Sequence, residues 1–173
     1  MDNRMPTEVD ADFWINAKAT DNYYENLDDS YLEFDFDELG VGKWMLFVKT
    51  EDLDDIWTRV RNLTVEDQLG SSAKTATMKP NHNARNSNEK VICVYVPEAS
   101  NFVEVASVLW KLFDNGVVPD HQKYVAFKTD KATMANQYVK GTKKSVSKFK
   151  MFPKEIHGKS VEEFIDYFRK EYF

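Results

Sequence analysis

The chain has 173 residues, 42 % apolar and 14 % aromatic, and one cysteine, Cys93. That is enough material for a single domain with its own core, and it excludes an internal disulfide and a cysteine-built metal cluster. No charged-then-apolar start follows Met1 and no run of eighteen apolar residues occurs, so neither a signal peptide nor a membrane span is expected; a reducing, cytoplasmic setting fits these features.

The net charge of −6 is unevenly spread. Residues 1–70 carry 18 acidic against 6 basic side chains, residues 71–159 carry 7 against 15, and residues 160–173 carry 4 against 2. An acidic protein with a basic middle argues against duplex nucleic acid as partner, which requires a broadly basic face. It permits a local anion site, or a fold in which the two halves neutralise one another across the surface.

In chain order, residues 1–12 are polar and aperiodic and read as a mobile arm. Phe13-Trp-Ile15 starts a short helix reaching Thr20, and Tyr23, Tyr24, Tyr31, Phe34 and Phe36 follow among acids. Residues 1–39 thus form an acidic, aromatic-rich strap whose rings pack over the domain or stack on a ligand. Residues 40–173 form one α+β domain. Gly42–Val48 is its first strand, Thr50 caps a helix over 51–63, and Ala73–Lys79 is a half-exposed second strand. Pro80–Asn88 is a polar loop. Lys90–Val96, nearly all β-branched or aromatic, is the buried central strand.

Ser100 then caps a helix with the apolar stripe Phe102, Ala106, Leu109, Trp110 and Phe113, ended by Asn115-Gly116. Lys123–Lys128 is the fourth strand, with a short helix near Ala132–Tyr138 beyond it. Lys140, Lys143, Lys144, Lys148 and Lys150 make a cationic tract, and Ser160-Val-Glu-Glu163 has the spacing of a capping box before a closing amphipathic helix. Strand, helix, strand, strand, helix, strand is the split β-α-β order, with helices on one face of a curved antiparallel sheet and the other face left for a pocket.

The chain contains no G-x-G-x-x-G, P-loop, G-x-S-x-G or H-E-x-x-H pattern, and His82, His121 and His157 are scattered through polar loops. No metal, cofactor or Ser-His triad is expected. What remains is a set of lysines in sheet strands: Lys43, Lys74, Lys79, Lys123 and Lys128. Ammonium groups on adjacent strands repel unless an anion lies between them, and a phosphate would accept their charge-assisted hydrogen bonds together with that of Tyr95. The alternative is that these lysines blunt exposed strand edges or pair with the acidic strap.

Gly42-Lys-Trp-Met-Leu-Phe-Val48, Ser72-Ala-Lys-Thr-Ala-Thr-Met-Lys-Pro-Asn81, Lys90-Val-Ile-Cys-Val-Tyr95, Phe127-Lys-Thr-Asp130 and Tyr138 resemble the basophilic-leukaemia-expressed protein family over residues 40–150. The resemblance implies a sheet similar to that of the cap-binding translation initiation factor 4E-like proteins, which hold a phosphorylated nucleotide on the concave face. It extends more weakly to bacterial effector phosphothreonine lyases. In that light Lys74 resembles the proton-abstracting base, Lys43 and Lys128 occupy the phosphate-holding places, and Tyr95 matches a strand tyrosine. Two departures matter: Met45 stands where the lyases place a histidine acid, and a lysine replaces their arginine.

The expectation is therefore a pocket formed by Lys43, Lys74, Lys79, Lys128 and Tyr95, with Trp44 or a strap aromatic stacking a base. It would bind a phosphorylated small molecule, a nucleotide or a nucleotide-derived signal, and would sequester an immune signal if the chain is viral. Two alternatives stand beside it: a lyase using Lys74 as base with His82 as substitute acid, and a protein-interaction domain whose contact is the acidic strap.

Overall fold

The central strand expected at Lys90–Val96 is β4, Glu89–Val96, in the interior of a six-stranded antiparallel sheet. The others are β1 (Trp14–Lys18), β2 (Gly42–Lys49), β3 (Ser72–Ala76), β5 (Val125–Thr129) and β6 (Phe149–Met151), in the order β1-β3-β4-β2-β5-β6. The structure is a computed structural model that describes residues 2–27, 40–81, 88–132 and 147–173. The helices among these are α1 (Asp21–Glu25), α2 (Leu53–Val65), α3 (Phe102–Asp114), α4 (Pro153–Ile156) and α5 (Val161–Tyr172). Because β4 is antiparallel to both β2 and β3, these two run parallel with β4 inserted between them, the split β-α-β arrangement read from the element order.

Strand parity divides the molecule into layers. Trp44, Leu46 and Val48 of β2, Ile92, Val94 and Val96 of β4, and Val125 and Phe127 of β5 share one core with Leu53, Trp57 and Val60 of α2, Leu109 and Leu112 of α3, and Phe164 and Phe168 of α5. The alternate residues point to the far face, turned away from these helices. There Met45, Cys93 and Ala126 form a second, small buried cluster with Val91 and Tyr95 against it.

Local chemistry explains most element ends. The Ser160 hydroxyl accepts from the Glu163 amide at 3.2 Å while the Glu163 carboxylate accepts from the Ser160 amide at 2.8 Å, completing the expected capping box. Gly116, at φ +59°, ends α3 in the left-handed region that glycine enters without strain. The cap of α3 is Asn101, one residue later than expected: its side chain accepts from Glu104 at 3.0 Å, while Ser100 donates to Glu98. Thr50 does not cap α2; its hydroxyl donates to the Asn88 carbonyl and ties β2 to β4.

The N-terminal region departs furthest from expectation. Residues 14–18 form strand β1 rather than a helix, since Ile15 and Ala17 are buried while Asn16 and Lys18 are exposed, a period of two. Residues 2–12 are fastened rather than loose. Val9 joins the core, Thr7 bonds the Asp54 carboxylate of α2 through both its amide and its hydroxyl, and the Val9 carbonyl accepts from Met78. Part of the cationic tract is also sheet, because Phe149 and Met151 enter the core from β6 with Lys150 exposed between them. Residues 28–39, the loop residues 82–87 and residues 133–146 lie outside the described residues, and with them Tyr31, Phe34, Phe36, His82, the short helix near Ala132–Tyr138 and three of the tract lysines.

Candidate functional site

Pairing across the sheet fixes which side chains meet on the far face. One row runs Lys18, Ser72, Tyr95, Lys43, Lys128 across β1, β3, β4, β2 and β5. The next runs Asn16, Lys74, Cys93, Met45, Ala126, Lys150 from edge to edge. Four of the six expected site residues, Lys43, Lys74, Tyr95 and Lys128, thus lie in adjacent rows of the same face.

Lys43 and Lys74 converge on one ring. Each ammonium lies 5.5 Å from the Tyr95 ring centroid, and Lys74 also lies over the Trp14 ring at 4.4 Å. Lys43 is nearly buried, its side chain 11 % exposed, and its ammonium meets Asp130 Oδ1 at 2.6 Å. An ammonium has three N–H donors, so this pair leaves capacity at Lys43. Among the described residues no carboxylate lies within ion-pair reach of Lys74; rings, not acids, face its charge.

Lys128 stands directly opposite Lys43 on β5, a like-charge cross-strand pair that by itself destabilises a sheet. The thiol of Cys93 reports the convergence: burial pushes its pKa up, while the charges of Lys43, Lys74 and Lys128 pull it down. Three cations from three strands therefore lie within electrostatic reach of one floor atom. Burial also holds the Tyr95 hydroxyl well above its ordinary pKa, with Cys93 and Asp130 adding to the effect, so at neutral pH it is a protonated donor.

Gly70 helps to position Tyr95. A Cβ there would stand 2.3 Å from the Tyr95 carbonyl oxygen, so only glycine lets the loop after α2 pass against β4. The neighbouring Ser71 amide donates to that carbonyl at 2.9 Å.

Two expected site residues are not brought to this cluster. Trp44 faces the helices, is fully buried, and donates its indole N–H to the Val105 carbonyl of α3 at 2.9 Å. Odd and even residues of a strand take opposite faces, so Lys43 and Trp44 cannot both line the far face. Lys79 lies beyond the end of β3, where its ammonium donates to the Ala11 carbonyl at 2.6 Å and covers the Phe13 ring at 4.2 Å. β3 ends at Ala76, short of Lys79, and the five-residue step from Lys74 to Lys79 would place the two on opposite faces even of a longer strand.

Two contributors were not read from the sequence. Trp14 carried a signal, the alternation across Trp14–Lys18, which a helical reading obscured. Asp130 carried none, because it reaches Lys43 only through the β2–β5 register.

Two surface clefts lie elsewhere. One is lined by Lys49, Thr50, Glu51, Asn88 and Glu89 at the other end of the β2–β4 pair, and a smaller one by Trp110, Phe113, Ile156 and His157 beside α4. Neither contains an expected site residue. Among the described residues no group of His, Cys, Asp and Glu has the arrangement of a metal site, and no helix is long and apolar enough to cross a membrane.

No curated protein matches the chain. Residues 36–136, which hold β2 to β5 and every lysine of the converging cluster, match the model of the basophilic leukemia-expressed protein Bles03 family. With more than half of its length covered by that match, the chain belongs to the Bles03 family.

Proposed function

We propose that the far face of the sheet binds a phosphorylated small molecule, a nucleotide or nucleotide-derived signal, with its phosphate between Lys43, Lys74 and Lys128. The observation that carries this reading is the pair of ammonium groups over Tyr95, for which Asp130 is the sole carboxylate within ion-pair distance among the described residues. A phosphate oxygen would take the unspent donors of Lys43, and the protonated Tyr95 hydroxyl would add a further one. The sequence resemblance to cap-binding initiation factors, which hold a phosphorylated nucleotide on a sheet face, points the same way.

A phosphate-eliminating activity with Lys74 as base is the second reading, favoured by that lysine's place in the strand. Met45 lies two residues beyond Lys43, buried and without a transferable proton, so binding without turnover accounts better for these residues.

Titration calorimetry with AMP tests the proposal. Binding that Lys74→Ala weakens by roughly 10- to 100-fold, the effect of losing a charged hydrogen-bond partner, agrees with it. Release of phosphate from a phosphothreonine peptide, abolished in Lys74→Ala, would replace it with the lyase reading. Absence of any nucleotide binding would remove it.

A further inference from the structure

A third row continues the far face, and its chemistry differs from that of the first. Trp14 pairs with Ala76, and Phe47 pairs with Val91. One step beyond the Thr75–Ile92 pair brings Ala76 opposite Val91, so Trp14, Ala76, Val91 and Phe47 cross four strands in line. Tyr124 lies on the same face just before β5, set off from Phe47 by the Gln122 side chain, which accepts from the Phe47 amide at 2.9 Å and donates to the Tyr124 carbonyl at 3.0 Å; the Tyr124 ring lies 5.2 Å from the ammonium of far-face Lys150 and 5.8 Å from the Phe152 ring. Phe47, Tyr124 and Phe152 are 41 %, 37 % and 42 % exposed. Isolated exposed apolar side chains mean little, but here aromatic rings repeat along one cross-strand line.

The face is therefore banded at right angles to its strands. A cationic and hydroxyl-bearing row ends at Lys43 and Lys128, a middle row is floored by the buried Cys93, Met45 and Ala126, and an aromatic row ends at Phe47 and Tyr124. Four strand residues separate Lys43 from Phe47, which is about 13 Å at the rise of an extended chain. Lys74 links the bands, standing in the middle row with its ammonium between the rings of Tyr95 and Trp14.

Resting on the phosphate-binding reading, we infer that the ligand is bipartite: an oxyanion at Lys43, Lys74 and Lys128, and a flat aromatic group about 13 Å away on the Phe47–Tyr124 row. Trp14, 4.4 Å from the Lys74 ammonium, is within reach of a mononucleotide, but one whose phosphate lies between Lys43 and Lys128 keeps its ring short of the Phe47–Tyr124 end of the aromatic band. A 5′-phosphorylated dinucleotide reaches that end, because its second base stacks on exposed aromatic side chains while the 5′-phosphate stays with the lysines.

Calorimetry with 5′-phosphorylated diadenylate (pApA), AMP and inorganic phosphate tests this. The expected result is pApA binding roughly 5- to 100-fold more tightly than AMP, the range that stacking of one base contributes. The double substitution Phe47→Ser and Tyr124→Ser is expected to bring pApA to the affinity of AMP while leaving AMP binding unchanged. Both side chains are exposed, so the variant is expected to keep its fold, and Tyr124→Ser alone serves as the second variant. Equal affinity for pApA and AMP, a preference that survives the double substitution, or a parallel loss of AMP binding in that variant would each overturn the bipartite ligand. In those cases Lys74-dependent AMP binding would leave the phosphate site standing. Failure of both nucleotides to bind would overturn the two together.

Discussion

Lys43 Nζ and Asp130 Oδ1 are 2.6 Å apart, so the least exposed cation of the far face already holds a carboxylate on one of its donors. Asp130 also adds its negative charge to the surroundings of Tyr95 and Cys93. On the phosphate-binding proposal, Asp130 would oppose the incoming anion. Asp130→Asn is expected to bind AMP roughly 3- to 10-fold more tightly, corresponding to about 1 kcal/mol of like-charge competition removed. The Asp130 side chain is 43 % exposed but that of Lys43 only 11 %, so loss of the charge partner is expected to cost about 1–3 kcal/mol of stability. Calorimetry and urea unfolding of the same variant read both effects, and unchanged or weaker AMP binding would show that the carboxylate does not compete.

Trp44 is fully buried, packs its ring 4.9 Å from Phe127, and bonds Val105. Trp44→Ala is expected to destabilise the fold by about 3–5 kcal/mol, as for other large aromatic deletions in cores. Trp44→Phe keeps most of the volume and loses the indole hydrogen bond to Val105. It is expected to cost less than the alanine variant and to leave AMP affinity of the folded protein unaltered. A loss of affinity in a folded Trp44→Phe protein would return this residue to the site.

Glu104 joins α3 to α1 by accepting from the Tyr23 hydroxyl. Burial raises its pKa, outweighing the Tyr23 hydrogen bond and Lys111, which lower it. A carboxyl whose pKa is raised on folding favours the native state below its unfolded pKa, about 4.3, and that contribution is lost as pH rises through the folded value. Glu104→Gln keeps an acceptor for Tyr23 without the titration. Its unfolding free energy is expected to fall less than that of the wild type between pH 4 and pH 7, as followed by urea titrations at each pH. Parallel profiles would rule out this carboxyl as the source.

At α5 the capping box gives a local test independent of ligand. Ser160→Ala removes the acceptor for the Glu163 amide and is expected to cost about 1 kcal/mol. Ser160→Asp should restore most of it, since a carboxylate caps as well and complements the helix dipole. Circular dichroism melts of the two variants compare them directly.

Much of the fold was legible because its signals are local. The apolar run ending at Val96, the three-and-four spacing of α2 and α3, and the Ser160–Glu163 box each depend on neighbours in the chain. The errors at residues 14–18 and at Thr50 share a cause. A five-residue stretch satisfies a helical or an extended pattern almost equally, and a hydroxyl before a helix has other acceptors to choose from once β4 lies beside it.

By itself, the sequence determined the helix stripes, the interior strand, the split β-α-β order, and the presence of lysines where strands rarely carry them. Tertiary structure decided which of those lysines meet. Lys43, Lys74 and Lys128 come together because antiparallel register fixes which residues share a row, and parity turns Trp44 to the helices. Asp130 opposes Lys43 for the same reason, across a strand pair that no spacing within the chain records.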